Sequence, residues 1–149
     1  MYAGRLQEAE SEFKKVLELN PQSRARKDLA LVYLARSNPQ AAVAVMQTEP
    51  DPNWRLYGLA LAFHAAGKKK ESEAVLAEYI EKYHDIAAFQ IAEIYAYRGE
   101  REKAFEWLEW AYKQRDVGLT FIKKDPLLAG LERDPRYTVF LKKMRLPLD

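Results

Sequence analysis

His64 and His84 are the only side chains in the sequence whose ordinary pKa lies near neutral pH. They fall on different helices or helix ends, so they do not form a proton-transfer pair. There is no cysteine, which removes disulfides, zinc thiolate sites and cysteine nucleophiles. No His-Glu-x-x-His zinc motif, phosphate-binding loop or nucleophile elbow occurs. Carboxylates recur one helical turn apart, as at Glu8 and Glu12 or Glu102 and Glu106. That spacing puts them on one outer helical face, and a solvated face is the simpler reading than a catalytic pair. His84 is expected near a helix end, where it meets the last carbonyls. His64 is expected in a groove or partly buried. The sequence therefore predicts no catalytic residue, no metal ligand and no cofactor site, and so a protein that is not an enzyme.

The charge balance narrows the partners. The 149 residues hold 24 basic and 22 acidic side chains, a net charge of +2, with 48% apolar residues. That composition is globular, and the mixed charge argues against a dedicated nucleic-acid or membrane-surface protein. Basic clusters stand at Lys68-Lys69-Lys70, Lys123-Lys124 and Lys142-Lys143-Arg145, spread over three places and interleaved with acids. A solubilising surface is expected of them. The apolar runs fall far short of the ~20 residues that span a bilayer, and no signal segment opens the chain. Neither nucleic acid nor membrane is expected as a direct partner, and the expected location is cytoplasmic.

The elements that carry these residues repeat. A small turn residue is followed five positions later by a small residue and four later by a large apolar one. The turn residues are Gly4, Ser37, Gly67 and Gly99, at spacings of 33, 30 and 32. The small ones are Ala9, Ala42, Ser72 and Ala104, and the large ones Phe13, Met46, Leu76 and Leu108. A period near 30–35 residues marks stacked helical hairpins. Apolar spacing predicts helices over Arg5–Leu19, Arg24–Arg36, Pro39–Gln47, Asn53–Ala66, Lys68–Tyr83, Asp85–Arg98 and Glu100–Arg115. Ser23, Asn38 and Asp85 are the expected caps of the second, third and sixth. Pro50, Asp51 and Pro52 break the chain and shorten their unit. Asp125-Pro126 and Asp134-Pro135 each pair an acidic cap with proline at the first helical position. They predict short helices over Pro126–Glu132 and Pro135–Met144 that cover the open end. No segment alternates long enough to be a strand, so the chain reads as all-α.

These positions resemble the tetratricopeptide repeat. The fourth unit matches best, through Ile91, Ala92, Tyr95, Gly99, Ala104, Leu108 and Ala111. The second matches through Leu29, Ala30, Tyr33, Ala42 and Met46, and the third through Leu59, Ala60, Phe63, Gly67, Ser72 and Leu76. The resemblance covers about residues 1–116. It implies a right-handed superhelical stack of antiparallel helix pairs in one domain over 1–149. Its parts would be 1–22, 23–50, 53–84, 85–116 and a cap over 117–149. Gly4 stands at an expected turn with no helix before it, so the chain reads as the C-terminal piece of a longer protein. The ending from Leu119 to Pro147 resembles one seen on bacterial proteins of this type, where the repeats follow an effector module.

The resemblance also implies a function: a non-catalytic scaffold that binds a peptide or helix in a concave groove. Groove-facing positions would be Lys27, Leu31 and Leu34, then Trp54, Tyr57, Leu61 and His64, then Ile86, Phe89, Glu93 and Tyr97. Trp54, Tyr57, Phe89 and Tyr97 stand out because aromatic rings dominate binding hot spots; the same rings also serve packing between helices. One subtype of the family grips chaperone tails with a lysine and two asparagines. Lys27 fits the lysine, but Leu31 and Gly58 occupy the asparagine positions, so that clamp is absent. Tyr79 stands where the third unit would carry a small residue, so its helix must stand off or its ring turn to the edge. The stripe Leu6, Ala9, Phe13 and Val16 is expected to be exposed and to offer a homodimer contact. Self-association of a parent protein is the alternative function.

Overall fold

Each apolar stripe becomes a helix in the computed structural model, which describes residues 2–145, with side chains from Gly4 onward. In order these are α1 (Tyr2–Leu19), α2 (Ala25–Ala35), α3 (Pro39–Gln47), α4 (Pro52–Ala65), α5 (Lys69–Tyr83), α6 (Ala88–Tyr97) and α7 (Arg101–Lys113). Two 3-10 segments, Val117–Lys124 and Pro126–Leu131, follow, and then α8 (Pro135–Lys143). There is no strand among the described residues. The expected close at Leu146-Pro147 lies outside them. The chain divides into two compact units, Met1–Tyr79 and Ile80–Asp149.

In the first unit α2 packs on α1, α3 and α4, and α3 also packs on α4. Its centre is Ala30, Ala42, Met46 and Ala62, with Tyr33, Leu34 and Leu59 against it. Leu34 therefore belongs to the core side of α2, not to a groove. α4 approaches closely because of Gly58: a Cβ there would lie 2.5 Å from Met46 Cε. In the second unit α6 packs on α7 and on both 3-10 segments. The repeated small residues are closed in completely, Ala42, Ser72 and Ala104 each being 0% exposed. The Ser72 hydroxyl donates to the Ala60 carbonyl at 2.8 Å, which satisfies the polar atom that this burial brings in.

The turns explain the small residue between helices. Ser37, Gly67 and Gly99 have φ of 58°, 76° and 80°. Beyond each, an N–H reaches back five residues: Asn38 to the Tyr33 carbonyl at 2.8 Å, Lys68 to Phe63 and Glu100 to Tyr95 at 2.9 Å. This is the Schellman ending, which satisfies carbonyls left open at a helix C-terminus and needs left-handed backbone. Gly4 does not make the first such turn. It lies inside α1, because a helix tolerates glycine for about 1 kcal/mol and nothing there requires left-handed geometry.

Several starts differ from expectation. Arg24, not Ser23, is the cap residue of α2, although Ser23 Oγ still accepts from Ala25 N at 3.4 Å. Asp51-Pro52 does more than break the chain. Asp51 Oδ1 accepts from Asn53 N at 2.9 Å and starts α4 with proline in its first turn. Asp85 caps nothing: α6 begins three residues later, and Asp85 pairs with His84 at 3.2 Å. The first turn of α6 is capped from a distance, since Phe89 N donates to Asp116 Oδ2 at 3.2 Å. Each of the two 3-10 segments after Asp116 buries a pair of residues three apart, Leu119 and Ile122 in the first and Leu128 and Leu131 in the second. Three residues per turn puts the two members of each pair on one side of their segment.

Candidate interaction surfaces

In the first unit, the start of α2 and the start of α4 bring Lys27 and Trp54 together. The Lys27 ammonium sits 4.9 Å from the Trp54 ring centre and 3.5 Å from Asp28. A cation held over an indole face contributes roughly 0.5–1 kcal/mol at an exposed site. The Trp54 ring meets Tyr57 edge-on at 5.7 Å, and Tyr57 lies 6.4 Å from Tyr79. The three rings form a column running from half-exposed Trp54 into the interior. Tyr79 is fully enclosed, so its ring does not turn to the edge.

The expected groove residues divide by burial. Lys27, Leu31, Trp54 and His64 are half-buried and keep accessible faces. Tyr57 and Leu61 are buried at 2% and 1% exposure, so they support the surface and offer none of their own. In the second unit Phe89 and Glu93 are buried as well. Phe89 is covered by the backbone of Gly118, where a Cβ would lie 2.7 Å from the ring. A sequence-local reading could not find this, since the covering residue comes from beyond the repeat. Tyr97 is half-buried, and burial pushes its hydroxyl pKa up. Ile86 is exposed.

The stripe on α1 is partly covered. Leu6, Ala9 and Phe13 are half-buried as α1 lies on α2; only Val16, at 41%, stays exposed. Glu10 on the same helix pairs with Arg36 and with Lys14. The Lys14 bond leads in holding its carboxyl below the usual range. His84 donates from Nδ1 to the Ile80 carbonyl at 2.8 Å, as its place at a helix end suggests. No group of three or more metal-ligating side chains converges among the described residues. No helix among them is long and apolar enough to cross a membrane.

One surface escaped the sequence reading. The C-terminal ends of α7 and α8 and the segment Val117–Lys124 surround an open depression of about 800 Å³. Lys113, Arg115, Lys143 and Arg145 line it. The only sequence signal was the cluster Lys142-Lys143-Arg145, which reads equally well as a solvated face. Comparison with protein-family models, with curated proteins and with solved structures returned no match.

Proposed function

We propose that this chain is a non-catalytic protein-interaction scaffold, a tetratricopeptide-like solenoid of helix pairs that holds a peptide or helix. The reading rests on the shelf made by Lys27 and Trp54, a half-exposed cation and indole on two different helices. The shelf is fixed from behind by a ring column ending in the hydrogen-bonded hydroxyl of Tyr79. Rigid aromatic surface with a charged rim binds with little ordering penalty. Leu31 and His64, on the same two helices, are half-buried and keep accessible faces. The repeated turns at Ser37, Gly67 and Gly99 support the repeat assignment.

The test is selection of peptides from a random display library on the intact protein, followed by counter-binding to Trp54→Ala and Lys27→Ala. Selected peptides should lose at least about tenfold in affinity on both variants, with helicity unchanged. Equal binding to wild type and variants, or no selectable peptide, overturns the reading.

Self-association is the second reading, favoured by Leu19, which leaves 89% of its surface exposed at the end of α1 beside exposed Val16. A mass in sedimentation equilibrium that stays monomeric as concentration rises removes it.

A further inference from the structure

The depression at the ends of α7 and α8 is lined by four cations, and two of them have a local explanation. Lys113 and Lys143 stand in the last turns of their helices, where positive charge complements the helix dipole. Lys113 also lies over Trp110, and Lys143 over Tyr112 and beside Glu109. Arg115 and Arg145 share those helix ends, but among the described residues neither lies over a ring. Each follows its helix in left-handed backbone, at φ 56° and 60°, a conformation that penalises any residue with a Cβ. After α2, α4 and α6 that place is held by the small residues Ser37, Gly67 and Gly99. At this cleft the chain puts arginine there instead, and both arginines line the depression. Among the described residues neither guanidinium has an ion-pair partner.

The counter-charge is small. Among the described residues Asp116 is the one acid in the lining, and its carboxylate already accepts from Phe89 N at 3.2 Å and Gly118 N at 2.8 Å. Val117, Leu119 and Met144 add apolar surface to the same lining. Val117 is 80% exposed, a large apolar surface left uncovered. A guanidinium presents a planar fork that matches a carboxylate in two parallel hydrogen bonds. The lining mixes cations with apolar side chains, which suits a segment carrying both carboxylates and an apolar residue better than a bare phosphate backbone.

We propose that this depression docks an acidic peptide segment, with an apolar side chain on Val117 and Leu119 and flanking carboxylates on Arg115 and Arg145. The site is distinct from the Lys27–Trp54 shelf and does not depend on it.

The test is fluorescence anisotropy on the full chain with a short labelled peptide of glutamate, leucine and phenylalanine. Controls are the same peptide with glutamine for glutamate and a labelled single-stranded DNA. The key variant is Arg115→Gly with Arg145→Gly, which keeps the backbone geometry. A charge-matched variant, Lys68→Gln with Lys69→Gln, removes the same charge elsewhere. The acidic peptide should bind the wild type and the lysine variant alike, and lose about tenfold or more on the arginine variant. The Tm of that variant should not fall. The proposal is overturned if the wild type does not bind the peptide, if the glutamine peptide binds as well, or if the DNA binds more tightly. It also fails if both variants lose equally or if the arginine variant melts lower. Self-association in sedimentation that the arginine variant abolishes would assign the cleft to a second copy and overturn it too. Failure at the Trp54 variants alone leaves this site untouched.

Discussion

The hydroxyl of Tyr79 donates to Oδ1 of Asn53 at 2.9 Å, tying α5 to the first turn of α4. Asn53 is itself fixed there by the bond from its N–H to Asp51. Tyr79→Phe keeps the buried ring and removes only the hydroxyl bond, so it should destabilise by about 0.5–1.5 kcal/mol. Tyr79→Ala should lose about 3–5 kcal/mol, because it also empties a large enclosed site. Urea denaturation of the two variants measures both. A Tyr79→Phe midpoint equal to wild type would mean the bond contributes nothing.

Gly58 faces Met46 across the α3–α4 contact with no room for a methyl group. Gly58→Ala should destabilise by about 1–3 kcal/mol through overpacking. Met46→Ala removes Cε, Cγ and Sδ, the atoms that the new Cβ would meet at 2.5, 2.6 and 2.8 Å. The double variant should therefore be more stable than the sum of the single losses implies, a coupling that a double-mutant cycle in denaturant resolves. Strict additivity would show that the two positions do not compete for space.

The turn residues give opposite predictions by residue type. Ser37 already adopts left-handed backbone with a Cβ present, so Ser37→Gly should stabilise, by up to about 1 kcal/mol. Gly67→Ala and Gly99→Ala should each destabilise by about 1 kcal/mol or somewhat more. Neither would strike a neighbour, since nothing lies within 4 Å of either Cβ position. The effect is purely backbone, and thermal melts of the three variants should rank them in that order.

The same turns show where the sequence was readable. Ser37, Gly67 and Gly99 mark helix ends by a local rule, and each end lies where periodicity puts it. Ala42, Ser72 and Ala104 follow from the period and are fully enclosed. Rules that depend on remote residues were not readable. The cap on α6 comes from Asp116, so Asp85, the local candidate, was preferred wrongly. Asp51-Pro52 carries the same start signal as Asp125-Pro126 and Asp134-Pro135, but Pro50 beside it made the segment read as a break alone. Tyr57 and Phe89 have the residue type of a binding hot spot. Their burial is set by Tyr79 and Gly118, which no periodicity connects to them. Arg115 and Arg145 were missed because left-handed backbone at a non-glycine residue leaves no mark in composition.

Asp116 joins two starts, accepting from Phe89 N for α6 and from Gly118 N for the Val117–Lys124 segment. Asp116→Ala should remove both bonds and destabilise by about 1–2 kcal/mol. The loss should be local as well. Hydrogen exchange of the Phe89 and Gly118 amides should accelerate more than that of the Ala60 region, which Asp116 does not touch. Uniform acceleration would indicate that Asp116 acts on global stability only.

At the far end Asp134 caps α8, and its pH behaviour follows from Arg136. Asp134 Oδ1 accepts from Arg136 N and Nε, both at 3.0 Å, and Oδ2 accepts from Nη2 at 2.8 Å. The side-chain bond from Arg136 leads in holding the carboxyl at about 2, with the backbone bond next. The folded value lies below the unfolded one, about 3.9, so the cap favours folding when ionised. That contribution is fully present above about pH 4 and is lost as pH falls through the folded value near 2. Arg136→Gln removes the charged fork, so the Asp134 carboxyl should titrate closer to the ordinary range and α8 should begin to fray at higher pH. A carboxyl NMR titration of wild type and Arg136→Gln, read with amide exchange in α8, measures both shifts. Identical Asp134 titrations in the two proteins would assign the low value to something other than Arg136.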